Sequence, residues 1–329
     1  MKHKNFPPEL KLGGVIVLLM VALTLISPRF LTVSNLTNVV WSVCIIGILS
    51  SGAIYPRITG GIDLSLGSMV ALTGIIADLF MNHMNLNWLV AIVLTVVIGG
   101  LIGLFNGFIV AKIKVPAFVV TMAAKTYLYG VALVVSSGAM LAVLKPAPFV
   151  QIGIGRFLGL PNPIYIMVVL VLASQFLLKR TSFGRQVMAV GSNETAAKLS
   201  GVDPDRVRLI SYAISGMTSA VGGVVLASLT QQIFAAAASG IELDVMTALV
   251  IGGTSAVGGN GSVIGGLLGA VMVAFIINGL NLLNVPAQFH PIVTGVVIIL
   301  ALLLNESNVK FNKIGIFRIN RKSVGGNRG

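Results

Sequence analysis

Residues 88–110 read WLVAIVLTVVIGGLIGLFNGFIV, an apolar run without a single charged side chain. An α-helix rises about 1.5 Å per residue, so a run of this length matches the hydrocarbon core of a bilayer, which is about 30 Å thick. This run is therefore predicted to cross a membrane as a helix.

The composition of the whole chain agrees with that prediction. Of its 329 residues, 56% are hydrophobic and 9% are charged, whereas an ordinary soluble domain has about 25% charged residues. So few charges cannot cover the surface of a soluble protein, so most of this surface is expected to face lipid. The 38 glycines fit as well, because small residues let membrane helices pack closely.

Nine further runs resemble residues 88–110, and together they predict an all-α polytopic membrane protein with about ten transmembrane helices. The ten runs lie near 12–27, 38–58, 64–81, 88–110, 117–137, 163–178, 207–229, 243–257, 263–283 and 289–304. The third, eighth and tenth runs are short or interrupted by glycine. The membrane domain is thus predicted to cover 12–304, between an N-terminal segment (1–11) and a basic tail (305–329).

The basic residues predict the orientation of these helices. With the N-terminus in the cytoplasm, 18 of the 22 lysines and arginines fall on the cytoplasmic side, as the positive-inside rule requires. For an even number of helices, both termini are cytoplasmic. The longest cytoplasmic loop is then 179–208, and the longest external loop is 139–162. Because the cations are divided among separate loops, the net charge of +13 does not indicate nucleic-acid binding.

The chain lacks the residue patterns of enzymes and metal sites. Cys44 is its only cysteine and is expected to be a packing residue. No Gly-x-x-x-x-Gly-Lys-Ser/Thr phosphate loop is present, so any ATP hydrolysis requires a partner. The three histidines lie far apart in sequence and lack the spacing of metal ligands; they are His3, His83 and His290. We predict no catalytic residue, no metal and no cofactor.

The cytoplasmic loop contains a predicted short amphipathic helix outside the bilayer. Ser192 is the expected N-cap, and Glu194 lies near the positive end of the helix dipole. Lys198 follows four residues later, in the order that favours an ion pair. Gly201 supplies the stop. An ordinary solvated loop is the alternative that composition alone leaves open.

A set of motifs in fixed order points to a family. The segments are Gly60–Ser68 (GGIDLSLGS), Asn106-Gly107, Val115–Thr121 (VPAFVVT), Gly184–Val202, Gly240–Asp244 (GIELD), Gly252–Gly261 (GGTSAVGGNG) and Asn278–Leu283 (NGLNLL). In this order they resemble the permease subunits of ribose-type sugar ABC importers, with a departure at Ile241. The likeness covers nearly the whole chain outside the termini.

This resemblance implies a multi-pass permease of a bacterial inner membrane, embedded in lipid and paired with a second copy or a paralogue. It also implies ABC ATPase subunits inside and a soluble sugar-binding protein outside. The loop helix would dock into the ATPase, and the residues implied in that coupling are Ser192, Asn193, Glu194, Ala196, Ala197, Lys198, Leu199 and Gly201. The alternative is a secondary transporter driven by an ion gradient. Such proteins usually carry intramembrane acids, whereas the acids of this sequence cluster at the predicted helix ends.

Two glycine-rich motifs have expected structural roles. In the first, which contains Gly60, Gly61, Asp63, Ser65 and Gly67, we expect Asp63 to cap the next helix rather than to contact substrate. In the second, tight packing of two helices is the expected role, and a hinge for alternating access is the alternative. Its glycines are Gly252, Gly253, Gly258 and Gly259.

Polar side chains within the predicted helices suggest a solute pathway. Neutral donors and acceptors suit the hydroxyls of a sugar, although interhelical hydrogen bonding is the alternative for each. The candidates are Asn106, Thr121, Thr126, Tyr127, Asn278 and Asn281. Lys125 is a cation within a predicted helix, where it is costly unless it finds a partner or water. We interpret it as reaching the cytoplasmic interface, and a pathway contact is the alternative.

Three cations are predicted to lie outside, and they are Arg29, Lys145 and Arg156. Acidic groups on the binding protein are their expected partners. Chance variation in loop charge is an equally weighted alternative.

Overall fold

The computed structural model describes residues 8–143 and 146–306, and this part of the chain is nearly all helical. The α-helices are α1 (Pro8–Ile26), α2 (Val33–Ile58), α3 (Leu66–Asn82), α4 (Trp88–Phe108), α5 (Ala117–Val135), α6 (Ala147–Ile154), α7 (Asn162–Arg180), α8 (Ser182–Ser192), α9 (Glu194–Leu199), α10 (Pro204–Thr230), α11 (Ile241–Ile251), α12 (Val263–Leu282) and α13 (His290–Glu306). A π-helical turn (Ile109–Ile113) extends α4, and a 3₁₀ turn (Ala287–Phe289) precedes α13.

Four two-residue strands occur within the described ranges. β1 (Leu141–Ala142) pairs antiparallel with β4 (Gln232–Ile233), and β2 (Arg156–Phe157) pairs with β3 (Leu160–Pro161). These pairs connect loops and build no layer of the fold. The prediction of an all-α protein is therefore confirmed for the described residues.

Each of the ten predicted segments overlaps a helix. Six of these helices are long and apolar enough to cross a membrane: α2, α4 with its π turn, α5, α7, α10 and α12. The eighth predicted segment, 243–257, is wrong at its C-terminal end, because α11 stops at Ile251. The reason is Gly253, whose φ of +83° is the left-handed conformation that terminates helices. With 11 residues, α11 measures about 16 Å, half the thickness of the hydrocarbon core.

Helix α10 is the centre of the bundle and packs along α4, α2 and α3. Glycines bring the backbones of α4 and α10 together. A Cβ atom added at Gly103 would lie 2.2 Å from the carbonyl oxygen of Tyr212, a separation that no side chain tolerates. This close approach replaces the hydrophobic driving force that helices lack inside lipid.

Helices α2 and α10 run antiparallel. Leu49 faces Gly222, Gly52 faces Thr218, and Gly61 just beyond α2 faces Tyr212. The C-terminal end of α2 therefore lies near the beginning of α10. The non-helical segments that follow these two helices consequently start from opposite ends of the bundle.

Candidate functional site

The two non-helical segments, 59–65 after α2 and 231–240 after α10, meet inside the bundle. A Cβ atom at Gly67 would lie 2.5 Å from both the carbonyl oxygen of Ala238 and Oε2 of Glu242. The first turns of α3 and α11 are thus in contact, although their chains arrive from opposite ends. We call this region the polar junction: residues 62–67, Glu242 and the side chains of α4, α5 and α10 that bond to them.

The same short pattern introduces both halves of the polar junction. Gly61–Leu64 and Gly240–Leu243 each read Gly-Ile-acid-Leu. The acids are Asp63 and Glu242, and each is only 1% exposed. A buried carboxylate is costly unless charges or hydrogen bonds compensate it, so the partners of these two groups decide what the region does.

Hydroxyl groups compensate Asp63. Its Oδ1 accepts hydrogen bonds from the backbone N–H of Ser65 at 3.1 Å and from the Ser65 hydroxyl at 2.6 Å. Its Oδ2 accepts one from the Ser215 hydroxyl at 2.7 Å. The predicted capping role is therefore only partly right. Asp63 bonds to Ser65, the residue before the first turn of α3, and its other oxygen ties this segment to α10.

Three of the six predicted pathway residues gather at the polar junction. Asn106 is fully buried and donates to the Ser65 hydroxyl at 3.4 Å, while it accepts from the Tyr127 hydroxyl at 3.2 Å. The Thr121 hydroxyl lies 3.2 Å from the carbonyl oxygen of Ile62. Helices α4 and α5 thus supply neutral donors and acceptors around one non-helical segment.

The other three predicted pathway residues lie elsewhere. Thr126 is exposed and bonds within its own helix, to the carbonyl oxygen of Met122 at 3.2 Å. Asn278 forms a reciprocal amide pair with Asn35, with N···O distances of 2.7 and 3.0 Å, and so joins α12 to α2. Asn281 is exposed in the last turn of α12.

The interpretation that Lys125 reaches the cytoplasmic interface is wrong. Its Nζ atom lies 2.5 Å from Oε1 of Glu242 and links α5 to α11. The buried carboxylate draws the ammonium into the bundle, because an unpaired acid there would be far costlier. Oε2 of Glu242 has no hydrogen-bond partner among the described residues. Sequence reasoning missed Glu242 as a site residue, and its repeated Gly-Ile-acid-Leu pattern was the signal that could have found it.

The predicted loop helix exists as α9, but its cap is one residue later than predicted. Oδ1 of Asn193 accepts from the backbone N–H of Ala196 at 2.9 Å. Ser192 is instead the last residue of α8, and its hydroxyl lies 3.4 Å from the carbonyl oxygen of Gly259. Gly201 ends the turn after α9 with a φ of +83°, as predicted.

The ion pair of α9 also differs from the prediction. Glu194 accepts two hydrogen bonds from the guanidinium of Arg208, at 2.9 and 2.5 Å, rather than pairing with Lys198. This bidentate geometry suits arginine, and the Arg208 hydrogen bond lowers the pKa of the Glu194 carboxyl. The pair fixes α9 to the start of α10. Ala197 packs inward, Ala196 is exposed, and Leu199 is 85% exposed.

A joint between backbones connects α8 to the rest of the bundle. A Cβ atom at Gly191 would lie 1.8 Å from the carbonyl oxygen of Ile58. The same oxygen accepts a hydrogen bond from the backbone N–H of Gly259 at 2.8 Å. We call Ile58, Gly191, Gly258 and Gly259 the glycine joint. Gly258 and Gly259 lie in the loop between α11 and α12. At the start of this loop, Gly252 packs directly against the backbone of Gly265 in α12.

Two of the three predicted external cations lie within the described residues, in separate segments of the chain. Arg29 lies between α1 and α2, and Arg156 lies in β2; both are exposed. Neither forms an ion pair with another described residue. Lys145 lies outside the described residues. The described ranges also contain no group of three His, Cys, Asp or Glu side chains that could hold a metal ion.

Comparison with known proteins gives consistent results. A family model described as the permease component of branched-chain amino acid transport systems matches residues 35–302. A ribose import permease protein of Escherichia coli (strain K12) is 38% identical over 296 residues, which cover 89% of this chain and 92% of the relative. A ribose import permease protein of Bacillus subtilis (strain 168) is 35% identical, with 90% and 92% covered. An L-arabinose ABC transporter permease protein of Azospirillum brasilense is 32% identical, with 89% and 86% covered. No solved structure matches the chain.

Proposed function

The chain belongs to the family of permease components of branched-chain amino acid transport systems, and from this membership we propose that it is the membrane-spanning subunit of an ATP-binding-cassette importer for a sugar. The observation that carries the proposal is the nearly full-length likeness to permeases named for ribose and L-arabinose. The neutral hydroxyl and amide groups of the polar junction support it, because sugars exchange hydrogen bonds with such groups.

The proposed topology has ten transmembrane helices with both termini in the cytoplasm of a bacterium, in its inner membrane. The distribution of basic residues supports this orientation. The short helices α3 and α11 then begin within the membrane, and the segments before them enter from opposite sides. Irregular backbone at this depth is tolerated where protein covers it. The permease domain covers 12–304, with the coupling loop 179–208 on the cytoplasmic side.

The proposed partners are two ATPase subunits, an extracytoplasmic sugar-binding protein, and a second copy or paralogue of this chain. The permease itself performs no chemistry. The exposed Leu199 on the capped helix α9 supports a docking role, because a rigid surface helix with one protruding apolar side chain fits a groove on a partner. Arg29, Lys145 and Arg156 are proposed contacts for acidic groups of the binding protein.

The proposed mechanism transmits ATPase motion from α9 to the polar junction. α9 follows α8 directly, and the glycine joint packs the end of α8 against Ile58 at the end of α2. The segment after α2 carries Asp63 and Ser65. Closure of the ATPases thus moves a segment that contacts α4, α5 and α10. Coupling requires that ATP and the loaded binding protein favour different states of the dimer.

An ion-gradient transporter remains the contrasting mechanism. Three acids are buried in the described part of the bundle, Asp63, Asp78 and Glu242, and buried acids are a feature of such proteins. Asp78 accepts a hydrogen bond from Asn82 within its own helix. Here, however, Asp63 already accepts three hydrogen bonds and Glu242 is paired with a lysine. The named relatives also support ATP-driven import over ion coupling.

Uptake by bacteria that lack their own pentose importers tests this function. The chain is expressed with its ATPase and binding protein, and uptake of labelled D-ribose, L-arabinose, D-xylose and L-leucine is measured. We expect uptake of at least one sugar, abolished when the ATPase or the binding protein is omitted, and no uptake of leucine. Uptake of leucine alone would overturn the sugar assignment.

A further inference from the structure

A cavity of about 370 Å³ lies between α2, α10, α11 and α12, apart from the polar junction. Its wall is largely isoleucine and leucine, with four polar residues, Asn38, Trp41, Ser42 and Asp244. This volume falls within the range of about 300–1,000 Å³ that is typical of small-molecule sites, as does an apolar wall with a few convergent polar groups.

Trp41 is the distinctive member of this wall. Its indole Nε1–H is shielded from solvent and has no hydrogen-bond partner among the described residues. Leaving a buried donor unpaired is energetically unfavourable, and tryptophan normally satisfies its N–H when buried. Trp41 thus combines a place in the cavity wall with a donor that no described residue satisfies.

The acidic residue of the wall is equally suited to a ligand. Asp244 lies in the first turn of α11 and forms no ion pair within the described residues. A carboxylate accepts hydrogen bonds and donates none, so it matches hydroxyl groups. Asn38 adds an amide with both donors and acceptors on the adjacent turn of α2.

The position of the cavity fits entry from the predicted external side. Asn38 lies one turn from Asn35, and Ile277 of the wall adjoins Asn278; Asn35 and Asn278 form the reciprocal amide pair. This pair joins the beginning of α2 to the end of α12, at the end of the bundle that the charge distribution assigns to the outside.

We propose that this cavity is a transient binding site for a neutral, hydroxylated solute, with Trp41 and Asp244 as its contact residues. The inference rests on the proposed function for the identity of the solute as a sugar. The apolar ring face of Trp41 packs on the C–H face of the sugar, its N–H donates to a hydroxyl oxygen, and the Asp244 carboxylate accepts from hydroxyls. The mostly apolar wall keeps binding weak, so that the solute is released again.

Tryptophan fluorescence tests the cavity directly, because Trp41 and Trp88 are the only two tryptophans. In the Trp88→Phe variant, assembled with an ATPase and a binding protein whose tryptophans are replaced by phenylalanine, Trp41 is the only tryptophan in the complex. We expect saturable changes in emission with at least one of D-ribose, L-arabinose and D-xylose, in the nucleotide-free or the ATP-bound complex. The matched Trp41→Phe variant, which reports on Trp88 alone, should not respond. No response of Trp41 to any of the three sugars in either state would overturn the proposal.

Transport by the same complexes gives a second readout. Trp41→Ala and Asp244→Asn should each reduce the maximal transport rate at least tenfold, while Trp88→Ala stays within twofold of the parent. Trp41→Phe keeps an aromatic ring but loses the N–H donor. Its maximal transport rate should therefore lie between those of Trp41→Ala and Trp88→Ala. Transport at the parental rate by Trp41→Ala and Asp244→Asn would also overturn the site. If the parent transports none of the sugars but Trp41 still responds to one, the proposed function fails and the site stands.

Discussion

At the residue scale, the two acids of the polar junction, Asp63 and Glu242, are stabilised in different ways. Asp63 is surrounded by hydroxyl and amide donors that come from its own segment and from α10. Glu242 depends on one lysine, and its Oε2 has no hydrogen-bond partner within the part of the chain that the structure describes. Hydrogen bonds satisfy both oxygens of Asp63, whereas only one oxygen of Glu242 has a partner among the described residues. Substitutions at the two sites should therefore have different consequences.

Removal of the Asp63 carboxylate should destabilise the bundle. Asp63→Ala leaves the Ser65 and Ser215 hydroxyls without their acceptor, and we expect a loss of about 1–3 kcal/mol. Thermal unfolding in detergent measures it. The control is Thr126→Ala, which removes an exposed hydroxyl bonded within its own helix. Equal melting temperatures for the two variants would contradict the hydrogen-bonding role of Asp63.

Separation of the Lys125–Glu242 pair should cost more. Lys125→Met leaves a buried carboxylate without a counter-charge, for which we expect about 3–5 kcal/mol of destabilisation. The double variant Lys125→Met/Glu242→Gln removes both charges and should recover most of this loss. The measurement is the thermal stability of the single and double variants. If the double variant is no more stable than Lys125→Met, the two groups are not coupled.

At the scale of elements, sequence reasoning located the helices well and their contacts poorly. Continuous apolar runs identify membrane helices because every backbone group in lipid must bond internally. The partner of Glu194 could not be predicted in this way. The spacing to Lys198 fitted an ion pair within the helix, but Arg208, 14 residues away, provides a planar group that binds both carboxylate oxygens. The same limit applies to Lys125, whose partner lies 117 residues later.

Helix α9 should dock onto the ATPase through Leu199. Because this side chain is 85% exposed, Leu199→Asp should abolish ATPase binding without loss of thermal stability. Co-purification of the ATPase measures the docking, and Leu199→Met, which keeps an apolar side chain, is the control. This substitution is cleaner than any change at Glu194, which anchors α9 to Arg208. Normal co-purification with Leu199→Asp would contradict the docking role.

The glycine joint should not tolerate even one methyl group. Gly191→Ala would place its Cβ 1.8 Å from the carbonyl oxygen of Ile58, so α8 must shift away from the end of α2. We expect lower stability and reduced sugar-stimulated ATP hydrolysis in the reconstituted complex. Gly130→Ala is the matched control, since nothing lies within 4 Å of the added atom in α5. Full coupling in Gly191→Ala would exclude the joint as the transmission route.

At the scale of the whole molecule, α10 sets the arrangement of the bundle by contacting α2, α3 and α4. Hydropathy locates the apolar helices, and the proposed orientation rests on the distribution of basic residues. Hydropathy does not predict that the segments after α2 and α10 meet, because it describes each apolar run separately. The glycines that end α11, Gly252 and Gly253, are visible in the sequence. The structure adds that α11 is only about half as long as the membrane is thick and that its end packs against α12.

Reporter fusions test the proposed orientation. A reporter inserted after Arg208 should be cytoplasmic, because the loop 179–208 contains six basic residues. A reporter near Gly155 should be extracytoplasmic. Labelling with a membrane-impermeant reagent in intact cells distinguishes the two sides. The same side for both insertions would invalidate the topology.

In the proposed mechanism, the permease contains no energy source of its own and receives work through α9. The most direct measurement is sugar accumulation in proteoliposomes made from the purified protein, alone or with its ATPase, binding protein and ATP. We predict accumulation against a gradient only in the complete system, and none when a proton or sodium gradient is imposed on the permease alone. Uphill accumulation by the permease alone, driven by an ion gradient, would contradict this mechanism.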